Sequence, residues 1–231
     1  MKKNNPPIVI SLGGSLVVPD DLDLNFLKRF RSLILAQIKK GQKFIIIVGG
    51  GKIARLYQTG AKAVSRLTDE DLDWLGIHAT RLNAHLLRTI FRTSAYPKII
   101  TNRRKINPKI TAPIIIAAGF KPGCSTDYDA VLLARAYKAK TIINLSNIPW
   151  VYTCDPRKFK SAKPIKKISW PAFQKLVGTK WDPGANVPFD PVASRWASKW
   201  GMRVIICNGK DFKNMKNTLS GQDIIHGTII N

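Results

Sequence analysis

The stretch Phe44-Ile-Ile-Ile-Val-Gly-Gly-Gly-Lys-Ile-Ala-Arg55 decides how the rest of the chain is read. Its five leading apolar residues predict a buried strand, three glycines stop it, and a helix is predicted from about Ile53. Glycine lets the backbone turn sharply and approach a ligand closely. The amides at the start of the following helix then face an anion with a favourable dipole. A tight strand-to-helix turn with no ligand satisfies the same pattern when it stands alone.

The pattern does not stand alone. Ile8-Val9-Ile10 reads as an earlier strand running into Gly13-Gly14-Ser15. Two such loops suggest two phosphate sites, or one polyphosphate held from both sides, with Arg55 four residues past Gly51. Neither loop is a Walker loop or a G-x-G-x-x-G turn. A third cluster, Gly119 to Asp127, follows the predicted strand Ile114 to Ile116 and opens a helix with Ser125, Thr126 and Asp127. One of those residues is enough to cap a helix; three, with Lys121, look like a platform for a polar ligand. A fourth cluster runs from Ser146 and Asn147 through Tyr152 to Asp155-Pro156-Arg157-Lys158. Asp-Pro is a turn signal on its own.

Outward from these loops, strands and helices alternate. Helices are predicted over Leu24 to Lys40, Asp71 to Phe91, Asp127 to Ala139 and Pro191 to Trp200, the last with Asp190 as N-cap and Pro191 at its first position. Strands are predicted at Thr141 to Leu145 and Val204 to Ile206, and an edge strand at Gly227 to Ile230. This alternation predicts an α/β fold with a mainly parallel sheet covered by helices on both faces. In such sheets ligands bind beyond the carboxyl ends of the strands, where the glycine clusters fall.

The bulk numbers bound the rest. A chain of 231 residues with 45% apolar residues is long enough for one compact domain with a sizeable core. A net charge of +24, from 38 basic and 14 acidic residues, favours anionic partners: nucleotides, nucleic acid or acidic surfaces. A single nucleotide accounts for few of those cations. Three scattered cysteines, Cys124, Cys154 and Cys207, suggest neither a zinc site nor a disulfide framework, and a reduced cytoplasmic setting is the simplest expectation. Lys2, Lys3 and the apolar run after them imitate a secretory signal, but Pro6-Pro7 and Gly13-Gly14 break the imitation. No apolar run reaches the length of a membrane span.

Taken in order, the four clusters resemble the amino acid kinase superfamily, and within it the archaeal-like uridylate (UMP) kinases. The likeness includes Asp73-Trp-Leu-Gly76 with Thr80-Arg-x-Asn83-Ala84, the G-x-x-P-G-x-x-T-D loop at Gly119 to Asp127, and Val151-Tyr152-Thr-x-Asp155-Pro156. It continues through Phe189-Asp190-Pro191-x-Ala193 to Gly227-Thr228. The resemblance implies a three-layer αβα sandwich forming a single domain over 1–231. About 1–140 would be an acceptor lobe and about 141–231 an ATP lobe. It implies transfer of the γ-phosphoryl group of ATP to UMP, with Mg2+ held mainly by phosphates and no protein-built metal site. It also implies a homo-oligomer, hexameric by family expectation, with no membrane association.

By position, Gly50, Asp73 and the loop Phe120, Lys121, Pro122, Gly123, Cys124, Ser125 and Thr126 would bind UMP. Gly13, Gly14, Ser15, Gly51 and Arg55 would lie along the ATP and reacting phosphates, and Ser146, Asn147, Tyr152 and Asp155 would hold the adenosine part. Arg55, Asp127 and Asp190 would carry catalysis, the two carboxylates by orienting phosphate-binding groups.

Three departures stand out. The superfamily often has Lys where this chain has Ser11; the archaeal-like branch tends to lack it, which leaves Arg55, Lys52 and Lys121 as candidate cations, Arg55 first by its spacing. Pro149-Trp150 replaces an Asp-Gly pair beside the expected ATP base, and Arg195 replaces a Lys. Cys124 reads as a small loop residue, and His78 and His85 as core or surface residues rather than ligands. Trp196 and Trp200 read as helix packing, and Lys98 to Lys109 as a basic loop. The alternative reading is a nucleotide- or nucleic-acid-binding protein that kept the fold and lost turnover.

Overall fold

The computed structural model describes residues 6–178, 187–222 and 224–231; Lys2 and Lys3 lie outside them. The chain runs β1 (Ile8–Leu12), α1 (Gly14–Val17), α2 (Leu24–Lys39), β2 (Phe44–Val48), α3 (Gly51–Val64), α4 (Asp69–Ile90), β3 (Ile114–Ala117), α5 (Thr126–Ala136) and β4 (Thr141–Ser146). It continues with β5 (Val151–Tyr152), β6 (Pro164–Ile165), β7 (Lys167–Ile168), α6 (Trp170–Val177), α7 (Pro191–Lys199), β8 (Arg203–Asn208), α8 (Phe212–Leu219) and β9 (Thr228–Ile230).

Seven strands form one sheet in the order β3-β2-β1-β4-β8-β9-β7, and β5 pairs with β6 in a separate antiparallel ribbon. Strands β3, β2, β1, β4 and β8 are mutually parallel. Their residues are apolar almost throughout because both faces are covered; all five residues of β2 are buried. One core lies under α2, α4 and α8 and includes Phe26, Phe30, Leu87 and Met215. The other lies under α5, α6 and α7 and includes Val131, Leu133, Phe173 and Ala197. The result is the αβα sandwich with a mainly parallel sheet that the alternation predicts.

Residues up to about 140 supply β1, β2 and β3, and those after it supply β4, β8, β9 and β7. The chain first builds outward from β1 through β2 to β3, then returns to place β4 on the other side of β1. The strand order therefore reverses between β1 and β4, which is where an open α/β sheet leaves a crevice.

Two element boundaries differ from expectation for identifiable reasons. The helix expected to reach Ala139 ends at Ala136, because Lys138 takes the left-handed conformation (φ 58°) and turns the chain toward β4. The strand expected at an edge, β9, lies inside the sheet: β8 flanks it on one side and the two-residue β7 on the other. So short a strand as β7 carries no periodicity to read.

Candidate functional site

Ser11 and Asn144 are polar residues inside otherwise apolar strands, and they stand opposite each other on β1 and β4. Asp127 lies over that pair. Its Oδ1 accepts from Ser11 Oγ at 2.9 Å and from Asn144 Nδ2 at 3.0 Å, and its Oδ2 accepts from the backbone N–H of Asp190 at 3.2 Å. One carboxylate thus ties together β1, β4, the start of α5 and the start of α7. Burial is the main cause that pushes the Asp127 carboxyl up to about 6, against the lowering effect of the Ser11 hydrogen bond. At the position where a lysine is frequent in the superfamily, the Ser11 hydroxyl is engaged by Asp127.

Asp190 is the N-cap of α7, accepting from Ala193 N–H at 2.5 Å, with Pro191 at the first helical position as expected. It is almost fully buried, and burial raises its carboxyl above the ordinary range. Asp127 and Asp190 are thus brought together through the Asp190 backbone amide. Arg55 stands apart from them, exposed in the first turn and a half of α3. Of the rival cations, Lys52 is engaged by an ion pair with Asp20, whereas Lys121 is exposed on the acceptor loop.

The glycine loops pack on each other. A Cβ on Gly14 would stand 2.1 Å from the backbone nitrogen of Gly51 and 2.5 Å from the carbonyl oxygen of Gly49. Gly51 has φ +65°, and a Cβ there would stand 2.5 Å from the carbonyl oxygen of Gly14. Two backbones cross with no room for a side chain between them. The expectation was that the glycines clear space for phosphate; the close crossing of the two loops requires them independently of any ligand. Gly13 N–H donates to Leu145 O at 2.7 Å, which closes the same junction toward β4. Ser15 is half-buried in α1.

Helix α4 anchors the loops from one side. Buried Asn83 donates from Nδ2 to the carbonyl oxygens of Gly49 at 2.8 Å and Gly50 at 3.2 Å. Thr80 Oγ1 accepts from Gly119 N–H at 2.8 Å. Asp73 Oδ2 accepts from Gly123 N–H at 2.7 Å, so Asp73 holds the tip of the very loop with which it was grouped. Gly50 sits against Ala54, Ala79 and Gly76. Along the loop, Phe120 is buried, Lys121 is exposed, Gly123 turns with φ +74°, and Ser125 caps α5 by accepting from Tyr128 N–H. Thr126 is the first residue of α5. Cys124 is half-buried and burial raises its thiol, which is the opposite of what an activated nucleophile needs.

The fourth cluster is built locally. Ser146 Oγ accepts from Ile148 N–H at 3.2 Å just past β4, Asn147 is exposed, and Tyr152 is half-buried in β5. Asp155 accepts from Arg157 through its backbone N–H at 2.9 Å and its guanidinium at 3.1 and 3.0 Å. Trp150 stands edge-on to His226 with 6.1 Å between ring centres. Arg195 is exposed on α7. Trp196 and Trp200 face each other at 4.9 Å and pack half-buried against the second core, as helix packing predicts. His78 and His85 are exposed on α4. Among the described residues no three His, Cys, Asp or Glu side chains group to hold a metal ion.

Sequence reasoning did not single out Asn144 or Asp129. Asn144 interrupts the apolar run Ile142-Ile143-Asn144-Leu145, which was the available signal; Asp129 follows the polar Ser125-Thr126-Asp127 and carries no such signal.

Residues 6–208 match the model of the amino acid kinase family. A uridylate kinase of Hyperthermus butylicus is 33% identical over 219 residues, covering 94% of this chain and 96% of that protein. A uridylate kinase of Thermococcus onnurineus is 33% identical over 228 residues, covering 96% and 98%. The crystal structure of a uridylate kinase from Archaeoglobus fulgidus superposes with a TM-score of 0.82 at 28% identity, over 97% of this chain and all of that one. With its sheet order, its paired glycine loops and the carboxylate over the reversal point, the chain belongs to the amino acid kinase family, in the branch of archaeal uridylate kinases.

Proposed function

We propose that this protein is a UMP kinase, transferring the γ-phosphoryl group of ATP to UMP to give UDP and ADP in pyrimidine nucleotide biosynthesis. The observation that carries the reading is Asp127 joined at once to Ser11, Asn144 and the Asp190 amide over the reversal point of the sheet. A crevice so organised beside two glycine loops suits two anions brought together.

The nucleophile is a phosphate oxygen of UMP, which is already anionic, so no strong general base is required. Catalysis reduces to alignment and to charge stabilisation of a loose transition state. In this reading Gly50, Asp73 and the loop from Phe120 through Thr126 take the acceptor. Backbone amides of Gly13, Gly14, Ser15 and Gly51 face the phosphates. Arg55 supplies the cation that follows the transferring charge. Asp127 and Asp190 do not touch substrate; they fix Ser11, Asn144 and the α7 start, so that the donors around the phosphates keep their directions. Ser146, Asn147, Tyr152 and Asp155 hold the adenosine part. Uracil is selected by hydrogen bonds from the acceptor loop, where a wrong base leaves polar groups unpaired.

The residues present fit Mg2+ as a partner of ATP. The strand tips offer hydroxyls, amides and two carboxylates rather than a cage of three acidic ligands, which suits an ion that keeps waters and takes its remaining oxygens from substrate phosphates. Such an ion would supply positive charge that offsets the negative charge of the ATP phosphates.

The same proposal includes a homo-oligomer, a hexamer by family expectation, and a cytoplasmic setting. Helix α3 buries none of its residues, and Leu56, Tyr57 and Val64 on it, with Leu82 on α4, are more than half exposed. An apolar face of that kind suits a second copy of the chain. Among the described residues no helix is long and apolar enough to cross a membrane.

The testing experiment is a coupled ADP-release assay with ATP, Mg2+ and each nucleoside monophosphate, with isopentenyl phosphate as a further acceptor. Turnover concentrated on UMP is the expected result. Equal turnover of all monophosphates, or none, rejects the reading.

A further inference from the structure

Helix α5 turns an apolar surface to the second core through Ala130, Val131, Leu133 and Ala134, yet it carries a fully buried carboxylate, Asp129, in their midst. Burying a carboxyl group is costly unless something needs it there. The helix does not need it: Ser125 already caps the N-terminus, and the Asp129 N–H already donates to Ser125 O. What Asp129 holds is the acceptor loop. Its Oδ2 accepts from the backbone N–H of Phe120 at 3.0 Å, nine residues back, while its Oδ1 has no hydrogen-bond partner. Asp129 and the loop residues Phe120 and Lys121 border one cavity of about 890 Å3, with Tyr128, Leu132 and Val192.

The loop is thus fastened from two sides of the sheet. Asp73 grips Gly123 from α4 at 2.7 Å, and Asp129 grips Phe120 from α5. Thr80 fixes the residue before, Gly119. The Phe120 side chain is packed in the second core while Lys121 is exposed, so the bond from Asp129 fixes the backbone at the point where the loop leaves the core. Losing it would leave the Phe120 N–H without its carboxylate acceptor and free the backbone there to shift.

We propose that Asp129 is a positioning residue for the phosphoryl acceptor: through its hydrogen bond to Phe120 it holds the acceptor loop forward, in the shape that binds the monophosphate. This rests on the reading that the loop takes UMP. Asp129 acts through the loop backbone and does not touch the substrate. The role is distinct from helix stability, because the bond it makes leads out of the helix.

The test compares Asp129→Ala, Asp129→Asn and Leu132→Ala by steady-state kinetics and thermal unfolding. Leu132 borders the same cavity on the same helix without bonding the loop. Asp129→Ala should raise KM for UMP about tenfold, the worth of one hydrogen bond of this kind, with kcat and KM for ATP changed less than about twofold. Asp129→Asn keeps an oxygen for Phe120 N–H and should restore KM for UMP. Leu132→Ala should lower thermal stability and leave KM for UMP unchanged. Amide exchange on the wild-type protein gives a reading independent of any variant: the Phe120 amide should exchange slowly. If wild type turns over UMP and Asp129→Ala matches it in KM, or shifts kcat and both KM values together as Leu132→Ala does, the positioning role is wrong. Fast exchange at Phe120 in wild type overturns it equally. If wild type phosphorylates no monophosphate, the functional reading itself has failed, while slow exchange at Phe120 still shows whether Asp129 holds the loop.

Discussion

Asp127, at the junction of β1 and β4, and Asp155, in the turn after β5, are surrounded in opposite ways. Asp127 is half-buried and takes its donors from residues 116, 17 and 63 positions away in the chain. Asp155 takes all of its donors from Arg157, two positions on, and that guanidinium holds its carboxyl below the ordinary range. The first arrangement exists only when the whole sheet is assembled. The second is a turn that a short peptide could nearly make by itself. On the proposed function the difference separates two tasks: the distant partners at the reversal point would define directions for reacting phosphates, and the local turn would offer grip for a nucleoside. Chemistry should therefore be sensitive at the first place and tolerant at the second.

The largest expected effect is at the cation beside the glycine loops. Arg55→Ala should lower kcat by about a thousandfold, in keeping with an arginine that follows transferring charge, while KM for UMP moves little; near-normal turnover in the ADP-release assay would remove Arg55 from the mechanism. Next, Asp127→Ala should lower kcat by about a hundredfold and also lower thermal stability, because Ser11, Asn144 and the Asp190 amide lose one shared acceptor. Unchanged kcat in a folded variant would dissolve the contrast with Asp155.

A smaller effect is in stability against pH. Burial raises Asp127 to about 6 and Asp129 to about 8, both from an ordinary 3.8. The folded state then holds these protons more tightly than the unfolded one, so stability is greatest near the unfolded value and is lost as pH rises toward 8. Ser11, Asn144 and the Asp190 amide and carboxylate face Asp127, and Lys121 acts on Asp129 from the loop. Melting temperature should fall by roughly 5–10 °C between pH 5 and pH 8, and Asp129→Asn should flatten the upper part of that window. A melting temperature that rises across it would contradict the burial argument.

The smallest effect is at Asp155. Asp155→Ala should raise KM for ATP by less than about tenfold, with kcat and melting temperature nearly unchanged, because the exposed pair it loses is worth little. A collapse of kcat there would reverse the comparison.

The same division explains what could be read from the residues alone. Strands β2 and β3 are uninterrupted apolar runs and β1, β4 and β8 carry apolar runs of two to four residues, so each was legible between the predicted helices. Helix α8 was missed because its sequence, Phe-Lys-Asn-Met-Lys-Asn-Thr-Leu, is mostly polar, and only Met215, Thr218 and Leu219 with Asn214 are buried. The ribbon of β5 and β6 was missed because two-residue strands have no period. At the site, the glycine loops, Asp127 and Asp190 were legible as motifs. That Asp127 reaches Ser11 and Asn144 was not, since the register of β1 against β4 joins residues 133 apart in number, a pairing no local pattern announces. Nor was the crossing of the glycine loops, which makes Gly14 and Gly51 mutually necessary.

The most direct test of a shared crevice is a crystal structure with UMP and a non-hydrolysable ATP analogue bound together. The account predicts the acceptor phosphate oxygen within about 3–3.5 Å of the γ-phosphorus, both lying over the crossing of Gly14 and Gly51 beside Ser11 and Asn144. Two nucleotides seated apart, or either one docked away from the end of β1, would contradict it.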